Sequence, residues 1–141
     1  MERERINFNR GQVGIEYMLI VGFVTFAILS VLVIAVFYSD KIKDRVKVNQ
    51  IEAFATQLLN SAESVFFAGE PSKSTVNLYL PSGVNDIDII SNSLVINFST
   101  SSPIDDLRVF ESRVPIQGTI TSGEGIKKLT LEATPTYLSI S

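Results

Sequence analysis

Glu16-Tyr17-Met18-Leu19-Ile20-Val21-Gly22-Phe23-Val24-Thr25-Phe26-Ala27-Ile28-Leu29-Ser30-Val31-Leu32-Val33-Ile34-Ala35-Val36-Phe37-Tyr38-Ser39-Asp40 is the stretch that decides how this chain is read. From Tyr17 to Ser39 no side chain is charged. A helix over those residues is long enough to cross a bilayer. A carboxylate at the mouth of such a helix is costly in lipid, which makes Glu16 a candidate functional residue. Before it, Met1–Gly11 carries Arg3, Arg5 and Arg10 against Glu2 and Glu4. That leader is too short and polar to pack, and it reads as a processing segment. A secretory cleavage site would follow the apolar run, but no small-x-small site occurs there before Asp40. The apolar segment is therefore expected to be retained.

Composition narrows the function classes. The 141 residues allow one modest domain plus a long helix. Without Cys, neither a disulfide framework nor a thiolate metal site is available. The chain also lacks His, which removes the usual neutral-pH general base and the commonest metal ligand. An enzyme is not expected, nor is a cofactor. A net charge of −3, with no Lys/Arg cluster among aromatics, gives nucleic-acid binding no electrostatic support.

Arg10-Gly11-Gln12-Val13-Gly14-Ile15-Glu16-Tyr17 resembles the processing site of archaeal type IV pilin precursors with a class III signal peptide. The resemblance implies cleavage between Gly11 and Gln12 by a prepilin-peptidase-like membrane protease. Glu16 then stands at the fifth mature position, where the family carries glutamate. Gly14 departs from the serine common at the third mature position, and Ile20 from the leucine common at the ninth. The direct match covers about ten residues. It implies that Gln12 and Glu16 act in assembly and that other copies of the chain form a helical filament around the apolar helices. It further implies an assembly ATPase and a membrane platform as partners, and adhesion as the task. Localisation follows: first the archaeal membrane with a cytoplasmic N-terminus, then an extracellular surface filament. The flanking charges do not set this orientation, since Lys41, Lys43, Arg45 and Lys47 outnumber the leader's arginines.

Elementary chemistry agrees with a role for Glu16. Cleavage creates an α-amine on Gln12, which a carboxylate one turn away or on a neighbouring subunit would neutralise. Acidic groups near a helix N-terminus also complement the macrodipole. Against this stands the simpler reading of a flanking charge in the headgroup region. Cyclisation of Gln12 to pyroglutamate would remove the amine.

Beyond Tyr38 the pattern turns amphipathic. Val48, Ile51, Phe54 or Ala55, Leu58, Ala62 and Val65 recur at helical spacing, with Gly69 and Pro71 as the stop. A helix from Gln12 to Ala68 would be about 85 Å long, which exceeds one bilayer crossing. Its second half must pack on the C-terminal domain or on other copies. Lys41, Lys43, Arg45 and Lys47 read as a solvated collar paired with Asp40 and Asp44, or as lipid-headgroup ligands.

From Ser72 the period changes to two. Strands are expected at 76–80, around Ile87 and Ile89, and at 94–98, 107–110, 114–121, 126–133 and 137–140. Ser122-Gly123-Glu124-Gly125 reads as a hairpin connection. The expected class is α+β: a leader (1–11), a long N-terminal helix (12–70), and a small antiparallel β-sandwich or barrel (71–141) on which the helix packs. Gly123–Lys128 lacks phosphate-loop spacing and reads as a turn. Asp86, Asp88, Asp105 and Asp106 read as solvated carboxylates rather than a calcium site. Asn97-Phe98-Ser99 is an N-glycosylation sequon whose Asn97 points outward if Leu94, Ile96 and Phe98 face inward. The rival to a filament subunit is a signal-anchored membrane protein whose extracellular β-domain binds a partner or ligand.

Overall fold

The computed structural model describes the backbone from Asn9 and the side chains from Gly14, in both cases through Ser141. Two units are distinguished, Met1–Asp40 and Lys41–Ser141. Helix α1 runs Asn9–Ala68 and so begins inside the stretch read as leader. After it come β1 (Lys73–Leu80), β2 (Val84–Ile90), β3 (Ser93–Phe98), β4 (Asp106–Glu111), β5 (Ile116–Gly118), β6 (Gly125–Ala133) and β7 (Leu138–Ile140). The class is α+β, with a long N-terminal helix and a small sheet domain.

In the first unit every large apolar side chain from Ile15 to Tyr38 is at least 45% exposed. This part of α1 is long and apolar enough to cross a membrane. Helix formation here rests mainly on backbone hydrogen bonds, since among the described residues the large apolar side chains are all exposed. Such a segment is stable where lipid or other apolar helices replace water.

In the second unit α1 becomes a packed helix. Ile51, Phe54, Ala55, Leu58, Leu59, Ala62 and Val65 are buried, while Asn49, Gln50, Gln57 and Asn60 face solvent. The three- and four-residue spacing puts the apolar set on one face, as the sequence pattern requires. A fully buried leucine such as Leu58 contributes about 1.5–3 kcal/mol through the area it removes from water. The helix stops where Gly69 takes a left-handed φ of 73° and donates its N–H to the Phe66 carbonyl at 3.1 Å.

The strands form two sheets, ordered β1-β6-β7-β5 and β2-β3-β4. β2 and β3 meet through a two-residue turn in which Ser91 and Asn92 both have positive φ, the twist-matched hairpin geometry. Leu78 and Leu80 on β1, Ile87 on β2, Leu94, Ile96 and Phe98 on β3, and Leu129 and Leu131 on β6 join the buried face of α1 in one core. Among the described residues no polar side chain is fully buried.

Two expectations are corrected. The sheet domain is not wholly antiparallel, because β5 and β7 pair in parallel, Ile116 opposite Leu138 and Gly118 opposite Ile140. Nor does 122–125 close a hairpin. β5 has no pairing with β6; β6 pairs instead with β1 and β7. The strand expected over 114–121 shrinks to Ile116–Gly118. Gly118 has a φ of 144°, and a Cβ built on it would stand 2.0 Å from the Ile140 carbonyl oxygen. After that close approach the chain leaves the sheet, and Ile120 is buried outside any strand.

Candidate functional site

The residues singled out at the N-terminus divide by what is described. Gly11 and Gln12 fall in the first turns of α1, where side chains lie outside the described residues. Glu16 is the first charged side chain that is described, and it is exposed. It opens an apolar surface that runs on all sides of the helix to Tyr38. A Cβ on Gly14 or Gly22 would meet nothing within 4 Å, so both positions leave bare backbone for another helix to approach.

At the other end of the apolar run, the basic collar is only partly a solvated one. Lys47 donates to the Ser99 carbonyl at 2.7 Å, with its ammonium lying beside Gly83. Asp44 accepts the Ser101 backbone N–H at 3.1 and 3.2 Å through its two oxygens, and also the Ser101 hydroxyl. The loop after β3 is thus clamped to α1 by one cation and one carboxylate a helical turn apart. Farther along that loop, Asp105 accepts from Asn85 of β2 at 3.0 Å, and Asn85 in turn accepts from the Ser99 hydroxyl at 3.2 Å. The sequence pairs Asp44 with the collar lysines, and Lys47 does act on its charge, but its hydrogen bonds go to Ser101. Sequence reasoning missed this because nothing local marks residue 101 as a neighbour of residue 44.

These contacts give the clamp a pH dependence. The Ser101 hydroxyl does most to hold the Asp44 carboxyl below its ordinary value of 3.8; desolvation opposes it, and the Ser101 backbone N–H and the nearby Lys47 charge add to the lowering. A depressed carboxyl stabilises the folded form above its ordinary value, and the effect is lost as pH falls through the folded value. The Ser101 amide is therefore expected to be protected from hydrogen exchange at neutral pH and to lose that protection in acid below 3.8. Asp44→Asn should leave a weaker protection that does not change over the same range. Amide exchange on detergent-held full-length protein, quenched across pH 2–7, checks both.

Asn97 lies on β3, the central strand of its sheet, between Asp86 on β2 and Leu107 on β4. Leu94, Ile96 and Phe98 face the core, so Asn97 does point to the other side. Its side chain is only half-exposed, and its carboxamide oxygen is shielded without a hydrogen-bond partner among the described residues. A strand centre between two ladders gives a modifying enzyme far less backbone freedom than a loop.

Asp86 and Asp88 occupy the same outer face as Asn97, whereas Asp105 lies in the loop bound to Asn85. Among the described residues no group of three or more carboxylates converges as a metal site would require. Lys127 and Lys128 sit within β6 rather than in a phosphate-cradling loop. What the described chain does present is surface: an apolar helix and two sheet faces turned away from the core. Compared with known proteins, the chain matches no family model, no curated protein and no solved structure.

Proposed function

We propose that this chain is a structural subunit of an archaeal type IV pilus-like surface filament with an adhesive role. It is made as a membrane precursor and cut between Gly11 and Gln12. The observation that carries this reading is the pairing of the Arg10–Tyr17 sequence with a helix whose apolar side chains are all exposed from Ile15 to Tyr38. A monomeric anchor needs such a surface only while it sits in lipid. A filament subunit uses the same surface twice, first against lipid and then against the helices of other copies, which exclude water equally well. Before assembly the helix holds the precursor in the membrane, and afterwards its apolar part packs against those of other copies. The peptidase, an assembly ATPase and a membrane platform are the partners this route requires.

The decisive experiment is N-terminal mass analysis of native protein from the cell surface. The filament reading expects a chain beginning at Gln12, or at pyroglutamate derived from it. Assembled protein that retains Met1–Gly11 would reverse the conclusion in favour of a signal-anchored ectodomain.

A further inference from the structure

The two sheets give one face each to the common core, and their other faces differ in chemistry. On β2-β3-β4 the paired registers put Asp86, Asn97 and Leu107 on one outward row, Asp88, Val95 and Val109 on the next, and Ile90, Ser93 and Glu111 on the third. Leu107, Val109 and Ile90 are 56%, 55% and 56% exposed. This face is an apolar strip bordered by Asp86, Asp88 and Glu111, with no cation in any of its rows. The cation Arg113 shares a groove with Glu111 at the strip's edge but pairs with Glu63 of α1 at 3.8 Å. On β1-β6-β7-β5 the outward pairs are Lys73 with Glu132, Thr75 with Thr130, Asn77 with Lys128, and Tyr79 with Ile126. Lys73 and Glu132 are joined at 3.0 Å, which leaves Lys128, without an ion pair among the described residues, beside the exposed Tyr79 and Ile126.

We propose that these faces are the two halves of one contact: the acidic face of one copy docks on the Lys128 face of the next. The contact deepens the filament reading and rests on it. An apolar strip bordered by three carboxylates meets an apolar pair beside a lysine, so both hydrophobic area and charge are complementary. Two different patches on one molecule form a heterologous contact, which does not pair off as an isologous one does and, where its rotation does not close a ring, extends into an open array. A small contact suffices, because copies already held by their apolar helices meet at high effective concentration. Asn97 lies in the middle of the acidic face, so a glycan there and this contact exclude one another.

The test compares filaments of the full chain carrying Asp88→Lys with Glu111→Lys, of Lys128→Glu, and of all three changes together. None of these side chains is buried. Near-UV circular dichroism and chymotrypsin resistance of unassembled detergent-held protein verify that each variant is folded. Either reversal alone is expected to shorten median filament length by about fivefold through like-charge repulsion. The combined variant should return to within about twofold of wild type, because its charges are again opposite. Unchanged length in the single reversals, or failure of the combination to restore it, would overturn the contact while leaving the filament reading intact. Absence of filaments from the wild-type chain would remove the filament reading itself. A hexose-bearing Asn97 in wild-type filaments would also overturn the contact.

Discussion

Glu16→Ala is expected to spare removal of Met1–Gly11 and to reduce filament yield by about a hundredfold. On the filament reading, the cut exposes an α-amine on Gln12 at the head of an apolar helix. In the membrane that ammonium remains near headgroups and water. Within a bundle of apolar helices it would need neutralising, and on this reading Glu16, one turn along the sequence, supplies the carboxylate on its own or an adjoining helix. Removing one partner of a buried ion pair costs about 3–5 kcal/mol, because the remaining charge is left uncompensated. At about 1.4 kcal/mol per tenfold, even the lower figure brings association down about a hundredfold. Immunoblotting for leader removal, alongside electron microscopy of the sheared surface fraction, separates processing from assembly. Filaments of normal number and length from the processed alanine variant would remove Glu16 from the mechanism. Should native protein prove to begin with pyroglutamate, the amine is gone and Glu16 must pair elsewhere.

The second large effect is expected at Gly118. Gly118→Ala places a methyl carbon 2.0 Å from the Ile140 carbonyl oxygen and 2.8 Å from its carbon. Both atoms are backbone, and Ile140 is held by its pairing with Leu131 and by a buried side chain. Neither side can give way without breaking the short parallel ladder of β5 and β7. The backbone at φ 144° is itself unfavourable for a residue with a Cβ. Destabilisation of about 3 kcal/mol or more is expected, a large share of what a domain this size has. Gly125→Ala is the control. It too sits at positive φ, 116°, but has nothing within 4 Å, so it carries the backbone strain without the collision. Thermal unfolding of detergent-held protein, followed by near-UV circular dichroism, should therefore show a large drop for Gly118→Ala and a small one for Gly125→Ala. Equal melting temperatures for the two would mean that the close approach to Ile140 is relieved at little cost.

Much of the secondary structure was legible because it rests on local periodicity. The spacing of Ile51, Phe54, Ala55, Leu58, Ala62 and Val65 announces the buried face of α1, and Gly69 announces its end. Leu94, Ile96 and Phe98 likewise show which side of β3 faces the core. What the sequence did not display was the pairing. Ser122–Gly125 has the composition of a hairpin, but turn residues say only where a chain bends, not which strand waits beyond. The partner of β5 is β7, reached across all of β6. Gly118 was equally hidden, since its necessity comes from a carbonyl twenty-two residues further on. The clamp of Asp44 and Lys47 on the 99–101 loop belongs to the same class. As for the candidate site, the cut-site motif and the apolar helix are visible in the residues. The opposite chemistry of the two outer sheet faces emerges only when the strand registers align their side chains.

The strand order also sets a timetable. β1 pairs with β6, Lys73 opposite Glu132, and β7 lies between β6 and β5. The four-stranded sheet therefore cannot form while the chain is being delivered in order, because its middle is supplied last. Pairing over such separations is intrinsically slow, whereas α1 needs only neighbours along the chain. The helix is consequently available to the membrane well before the sheet domain is complete. If the sheet domain is exported, as the filament reading requires, it crosses as a loose strand behind an already seated helix and acquires its outer form only on arrival.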